Sequence, residues 1–173
     1  MRCVAAGVAA VLLSWATAVG ANSILGPRVG DQAPEFALLG LDGERYSLEA
    51  LRDGAQAVLL VFWSTECPYC HVLLPELQQR QQQLNALGVN TAAVNVGWES
   101  AAEVANYVDL QRLGFLVLNE DDKKADVAAD YHLPGTPTVF LVDTSGRIVF
   151  YGHRLPDVRA HLSPSQKVGN TEP

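Results

Sequence analysis

The chain has 173 residues, 49% of them hydrophobic, with 12 basic against 19 acidic residues and a net charge of −7. Lys and Arg form no cluster, so nucleic-acid binding has no electrostatic support, and the acid excess reads as ordinary solubility. The length suits one domain with a real core.

Met1-Arg2 is a short basic start, and Cys3 to Ala18 is mostly Ala, Val and Leu. Small residues follow at Val19-Gly20-Ala21, with Ala16-Thr17-Ala18 as a second site, so residues 1–21 read as a signal peptide cleaved before Asn22 or as an N-terminal membrane anchor. Either reading exports the rest. Glu35 to Leu39, the turn Asp42-Gly43 and Arg45 to Leu48 predict a hairpin. Ala57 to Trp63 is wholly apolar, as in a strand buried on both faces of a parallel sheet. From Cys67 to Leu87, Leu73, Leu77, Leu84 and Leu87 share one helical stripe, with Pro75 as a kink and Gly88 as the stop.

Val89 to Val96 is the next strand. Ser100-Ala101-Ala102-Glu103 has capping-box form and opens a helix that uses Val104, Tyr107 and Val108. Phe115 to Leu118 reads as a short strand and Ala125 to Tyr131 as a short helix. Thr138 to Val142, the turn Asp143-Thr144-Ser145-Gly146 and Arg147 to Tyr151 form a closing hairpin, and Val158 to Leu162 a last helix. Residues 163–173 are polar and aperiodic, a flexible tail. This order predicts an α/β domain over 28–162, a mixed central sheet with helices on both faces and an extra N-terminal β-hairpin.

With Cys3 in the leader, Cys67 and Cys70 are the only cysteines left, in Cys67-Pro68-Tyr69-Cys70 between a buried strand and a helix. A pair this close encloses too small a ring to serve as a staple, so it reads as a dithiol–disulfide switch. Two rivals use the same residues. Followed by His71, the pair matches a c-type haem attachment pattern, but the only methionine is Met1 and the cysteines follow a sheet strand. A copper or zinc site would need a third ligand from His71, His132 or His153, which nothing in the spacing brings together.

Phe62-Trp63-Ser64-Thr65-Glu66-Cys67-Pro68-Tyr69-Cys70 resembles the active-site segment of the thioredoxin superfamily, and Gly135-Thr136-Pro137-Thr138 resembles its cis-proline loop. Val29 to Phe36 with Leu41-Asp42-Gly43, and Val94-Asn95-Val96-Gly97 with the Glu99-containing helix start, are similar to the exported TlpA/ResA-type branch. The resemblance covers roughly residues 28 to 155 and implies a thioredoxin fold and a Cys67–Cys70 redox disulfide, with Cys67 as nucleophile at a helix N-terminus and Cys70 as resolving thiol. It implies that Pro137 follows a cis bond, that the Thr136 backbone pairs with an extended substrate segment, and that Trp63 and Tyr69 face the substrate.

Three positions depart from the family pattern. Glu66 stands where a tryptophan is usual, and a carboxylate there disfavours the Cys67 thiolate, tuning its acidity. Val61 and Leu73 occupy the positions of the two usual proton-handling carboxylates. Glu66, His71 and Glu99 are candidate substitutes, although each reads first as a solvated surface residue. The N-terminal hairpin also resembles peroxiredoxins, but Leu60 stands where their motif has a proline ahead of Ser64-Thr65-Glu66-Cys67.

The expectation is an exported, periplasmic, monomeric thiol–disulfide oxidoreductase without cofactor or metal. It reduces disulfides of exported proteins, with cytochrome c maturation as the leading role, and is recharged by a membrane-bound or exported thiol donor. A thioredoxin-fold metallochaperone and a peroxiredoxin-like peroxidase are the alternatives.

Overall fold

A computed structural model describes residues 26–120 and 126–162. The expected leader over 1–21 and the tail over 163–173 lie outside the described residues. Seven strands form one sheet in the order β2-β1-β5-β4-β3-β6-β7. They are β1 (Ala37–Gly40), β2 (Arg45–Ser47), β3 (Ala57–Trp63), β4 (Val89–Asn95), β5 (Leu116–Asn119), β6 (Thr138–Asp143) and β7 (Ile148–Gly152). β4 runs parallel to β3 and β5, while β3–β6, β6–β7, β1–β5 and β1–β2 are antiparallel.

β3 is the central strand, and all seven of its residues are buried. Its alternation divides the core. Ala57, Leu59, Val61 and Trp63 enter one cluster, and Val58, Leu60 and Phe62 enter the other. The first cluster is covered by α2 (Cys70–Ala86), α3 (Ala101–Gln111) and α5 (Val158–His161), and the second by α1 (Leu48–Arg52) and α4 (Val127–Asp130). A mixed sheet with helices on both faces and an added N-terminal hairpin is the thioredoxin fold.

Several observed elements depart from the expected ones, with β1 starting two residues later and β7 shifted by one. The second hairpin strand stops at Ser47, whose hydroxyl accepts the Ala50 N–H and caps α1. Leu48 and Leu51, three residues apart, bury one face of that short helix, each stabilising it by about 1.5–3 kcal/mol relative to exposure. α2 begins at Cys70 rather than Cys67, because residues 67–69 form the turn that feeds it: the Cys67 carbonyl accepts from Cys70 N–H and His71 N–H. β5 is shifted one residue toward the C-terminus, ending at Asn119. Of the short helix expected from Ala125, only Val127–Asp130 is helical among the described residues, capped by Asp126.

Pro75 lies inside α2, and Gly88 follows it with φ 68°, a left-handed conformation that suits glycine at a helix end. The capping box of α3 is complete, with Ser100 and Glu103 each accepting from the other's backbone.

Candidate active site

Cys67 lies four residues past the end of β3, and Cys70 opens α2. The two form a disulfide with Cα atoms 5.2 Å apart. The Cys70 N–H donates to the Cys67 sulfur at 3.1 Å. That contact and the start of a 17-residue helix both favour negative charge on Cys67 once the bond is reduced. The pair is asymmetric. Cys67 keeps 6% of its surface exposed and Cys70 none.

The proline loop enters from the neighbouring strand. Thr138, the first residue of β6, pairs with Phe62 near the end of β3, so residues 135–137 stand beside the segment leading to the cysteines. The Thr136–Pro137 bond is cis. The Thr138 hydroxyl donates to the Gly135 carbonyl (2.6 Å), and His153 Nδ1 donates to the Pro137 carbonyl (2.9 Å), tying the loop to the strand end.

A carboxylate braces the other side. The Thr65 N–H and hydroxyl both donate to Glu99 Oε1, at 2.7 and 2.6 Å. Partial burial pushes the Glu99 carboxyl up, but the Thr65 hydroxyl and amide, with the Asn95 side chain, outweigh burial and hold it below the ordinary carboxylate value. The approach depends on Gly97, since a Cβ there would overlap the Glu99 carboxylate. Glu99 is therefore a half-buried, hydrogen-bonded brace, which corrects the expectation of a solvated surface residue. Thr65 and Glu99 are 34 positions apart in the chain and nothing local signals this contact, because the parallel pairing of β3 with β4 creates it.

The other predicted residues separate. Tyr69 is 76% exposed beside the cysteines, and Glu66 is exposed. Thr136 is half-buried and Pro137 buried. Trp63 corrects a second expectation: it is fully buried, with its ring against Tyr107 (centroids 5.2 Å apart), so it supports the site from beneath and cannot face a substrate. Its position at the end of β3 on the α2 side, where alternation directs it into the core, is the reason.

His71 is anchored too, its Nε2 donating to the Thr65 carbonyl at 2.7 Å and its ring lying 5.5 Å from that of Tyr107. Among the described residues, no group of three or more His, Cys, Asp and Glu side chains is arranged to hold a metal ion. Among them, too, no helix is long and apolar enough to cross a membrane.

Glu120 was missed at the sequence level. It follows β5 at 7% exposure, accepting the Ala128 N–H at 3.0 Å, and its N–H donates to the Asn95 carbonyl. Burial, which outweighs the hydrogen bonds from the α4 backbone, pushes its carboxyl above the ordinary range, and the charges of Asp126 and Asp130 add to that. The available signal was an acid two residues past the apolar run 115–118, at the C-terminal end of a parallel strand.

Comparison with known proteins agrees with this geometry. Residues 29–151 match the model of the AhpC/TSA family. The thiol-disulfide oxidoreductase ResA of Bacillus subtilis is 32% identical over 120 residues, covering 69% of this chain and 64% of ResA, so the chain spans just under two thirds of that relative. The thioredoxin-like protein YneN of the same organism is 33% identical over 125 residues, covering 72% of this chain and 71% of YneN. Among solved structures, the thioredoxin domain of the thiol-disulfide oxidoreductase BVU-2223 from Bacteroides vulgatus superposes with a TM-score of 0.69 at 25% identity, over 79% of this chain and 99% of that one. A buried-strand-to-helix CxxC pair, a proline loop beside it and a match over most of the folded residues together show that the chain belongs to the AhpC/TSA family, in its thioredoxin-like form.

Proposed function

We propose that the chain is a thiol–disulfide oxidoreductase that reduces disulfides of partner proteins through Cys67 and Cys70. The observation that carries this reading is the asymmetric pair itself: Cys67, 6% exposed, with its sulfur under a backbone N–H at a helix start, and Cys70, fully buried, one turn on. In the reduced form the Cys67 thiolate attacks one sulfur of the partner's disulfide. A Cys67–partner disulfide forms, and the displaced sulfur leaves as a thiolate that takes a proton from water. Cys70 then gives up its proton and attacks the Cys67 sulfur. The Cys67–Cys70 disulfide closes, and the partner's second sulfur leaves and is protonated. Two electrons pass from dithiol to partner, and a thiol donor restores them.

Thr136 and Pro137 line the docking groove in this reading, with the Thr136 backbone pairing with an extended partner segment. Glu66 tunes the reactivity of Cys67 as a neighbouring negative charge. The setting is an exported one, supported by the apolar opening segment, and the resemblance to TlpA/ResA-type proteins puts the disulfide of apocytochrome c first among candidate substrates. The test uses the reduced protein with insulin as substrate. Wild type reduces the insulin disulfides, Cys67→Ser abolishes turnover, and Cys70→Ser accumulates a mixed disulfide through Cys67, read by intact mass. Turnover retained in Cys67→Ser, or adducts on Cys70 of the wild type, would overturn it. Peroxide consumption in place of insulin reduction would favour the peroxidase reading that the family match leaves standing.

A further inference from the structure

Trp98 is 87% exposed, more than any other large apolar side chain among the described residues. Its φ is 61°, a left-handed conformation that a bulky residue rarely adopts. Such an outlier persists only where its surroundings over-determine it, and here they do. Gly97 N–H donates to Asn95 Oδ1 (3.3 Å), Asn119 Nδ2 donates to the Glu99 carbonyl (3.2 Å), and the Glu99 carboxylate takes both donors of Thr65. The turn that displays the indole is thereby fastened to the residue two before Cys67. Trp98 immediately precedes the fastening residue Glu99, so the indole is carried to the cysteine end of the sheet. Two more exposed apolar side chains stand there on the turn and first helical residues around the pair, Tyr69 (76%) and Val72 (71%). An isolated exposed apolar residue needs no explanation, but three displayed at the cysteine end of the sheet, one of them in a strained conformation, do.

We propose that Trp98, with Tyr69 and Val72, forms an apolar clasp that selects the partner segment by an aromatic or branched apolar side chain next to its attacked cysteine. This rests on the oxidoreductase reading and names the chemistry that site recognises. The occupant follows from continuity with the reacting atom. With Cys67 only 6% exposed, a protein disulfide reaches its sulfur only when the flanking chain lies across the surrounding surface. Residues 64–72 and 96–100 contain Glu66 and Glu99 and no Lys or Arg, while the exposed Arg154 stands next to His153 on the proline-loop side.

The experiment compares two peptides, each carrying one disulfide and identical except for Phe or Ser beside the attacked cysteine, under single turnover with reduced protein. Wild type is expected to reduce the Phe peptide with a second-order rate constant about tenfold larger, the scale of one aromatic anchor. Trp98→Ala is expected to bring the ratio of the two rates close to one, and Trp98→Phe to restore most of it. Unchanged thermal unfolding of the exposed-site variants confirms that the ratio reports recognition. Equal rates in the wild type, or a preference that survives in Trp98→Ala, overturn the clasp and leave the oxidoreductase reading intact. Failure of the wild type to reduce either peptide overturns both. A concentration-dependent dimer that Trp98→Ala abolishes also overturns the clasp, because a second copy then covers the indole.

Discussion

On the side of the sheet covered by α1 and α4, Phe62, Tyr131 and Phe140 form a closed aromatic triangle, with centroids 4.8, 5.1 and 5.9 Å apart, and the Tyr131 hydroxyl donates to the Pro34 carbonyl at 2.8 Å. On the side covered by α2 and α3, the corresponding aromatic pair is Trp63 and Tyr107. There neither the indole N–H nor the phenolic hydroxyl has a hydrogen-bond partner among the described residues. The triangle on the first side has its one hydroxyl satisfied and packs ring on ring, which is how a core maximises stability. The second side holds both cysteines and accepts unpaired polar atoms, a cost of about 1–3 kcal/mol each. One β-strand feeds both, so the division of labour comes from side-chain alternation and not from separate parts of the chain.

The sharpest way to break this comparison is at Phe140. Phe140→Ala opens a cavity on the aromatic side and should cost about 3–5 kcal/mol, measured as a lowered urea midpoint at unchanged slope. In the fraction that stays folded, alkylation of reduced Cys67 should keep its wild-type rate. A change in that rate would show that the two sides are coupled and that the division is false.

Two acids with opposite shifts give the next largest effect. The folded-state carboxyl of Glu99 lies below its ordinary value of 4.5, so its contribution to stability is present above that pH and is lost as pH falls through the folded value. Glu99→Gln should therefore destabilise more at pH 7 than at pH 3. The folded-state carboxyl of Glu120 lies above 4.5, so its stabilising contribution is present in acid and is lost as pH rises through the folded value. Glu120→Gln keeps an acceptor for the Ala128 N–H and should gain stability relative to wild type as pH rises from 4 to 8. Parallel pH profiles for the two variants would contradict the geometry of both sites. The smallest effect belongs to Glu66. Glu66→Gln removes an exposed charge next to Cys67 and should modestly raise the iodoacetamide rate of Cys67 at neutral pH, while an unchanged or lower rate would remove Glu66 from the site.

How much of this was legible in the sequence varied with the range of the interaction. β3 was readable because seven consecutive apolar residues have few alternatives to a doubly covered strand, and α3 because its capping box is local. The cysteine pair was readable for the same reason, since four adjacent residues contain it. α1 was missed because five residues are too few to display a helical period beside a strand pattern, although Ser47 carried the cap signal. Glu99, Glu120 and Trp63 needed tertiary information. A carboxylate's partner 34 residues away, or the side toward which a strand's last residue points, appears only once strand order and register are known.

The placement of β3 between β4 and β6 has a consequence for the order in which the molecule comes apart. Its registers with the two neighbours hold seven and six residue pairs, whereas the edge strands β2 and β7 are each paired on one side only. Amide exchange should accordingly be slowest along β3 and fastest at the two edges, with the interior strand opening only in whole-domain unfolding. Fraying at either edge can then proceed without displacing the segment that carries Cys67. The Cys67 sulfur is suspended from the last part of the fold to let go, so its geometry outlives partial opening of the edges.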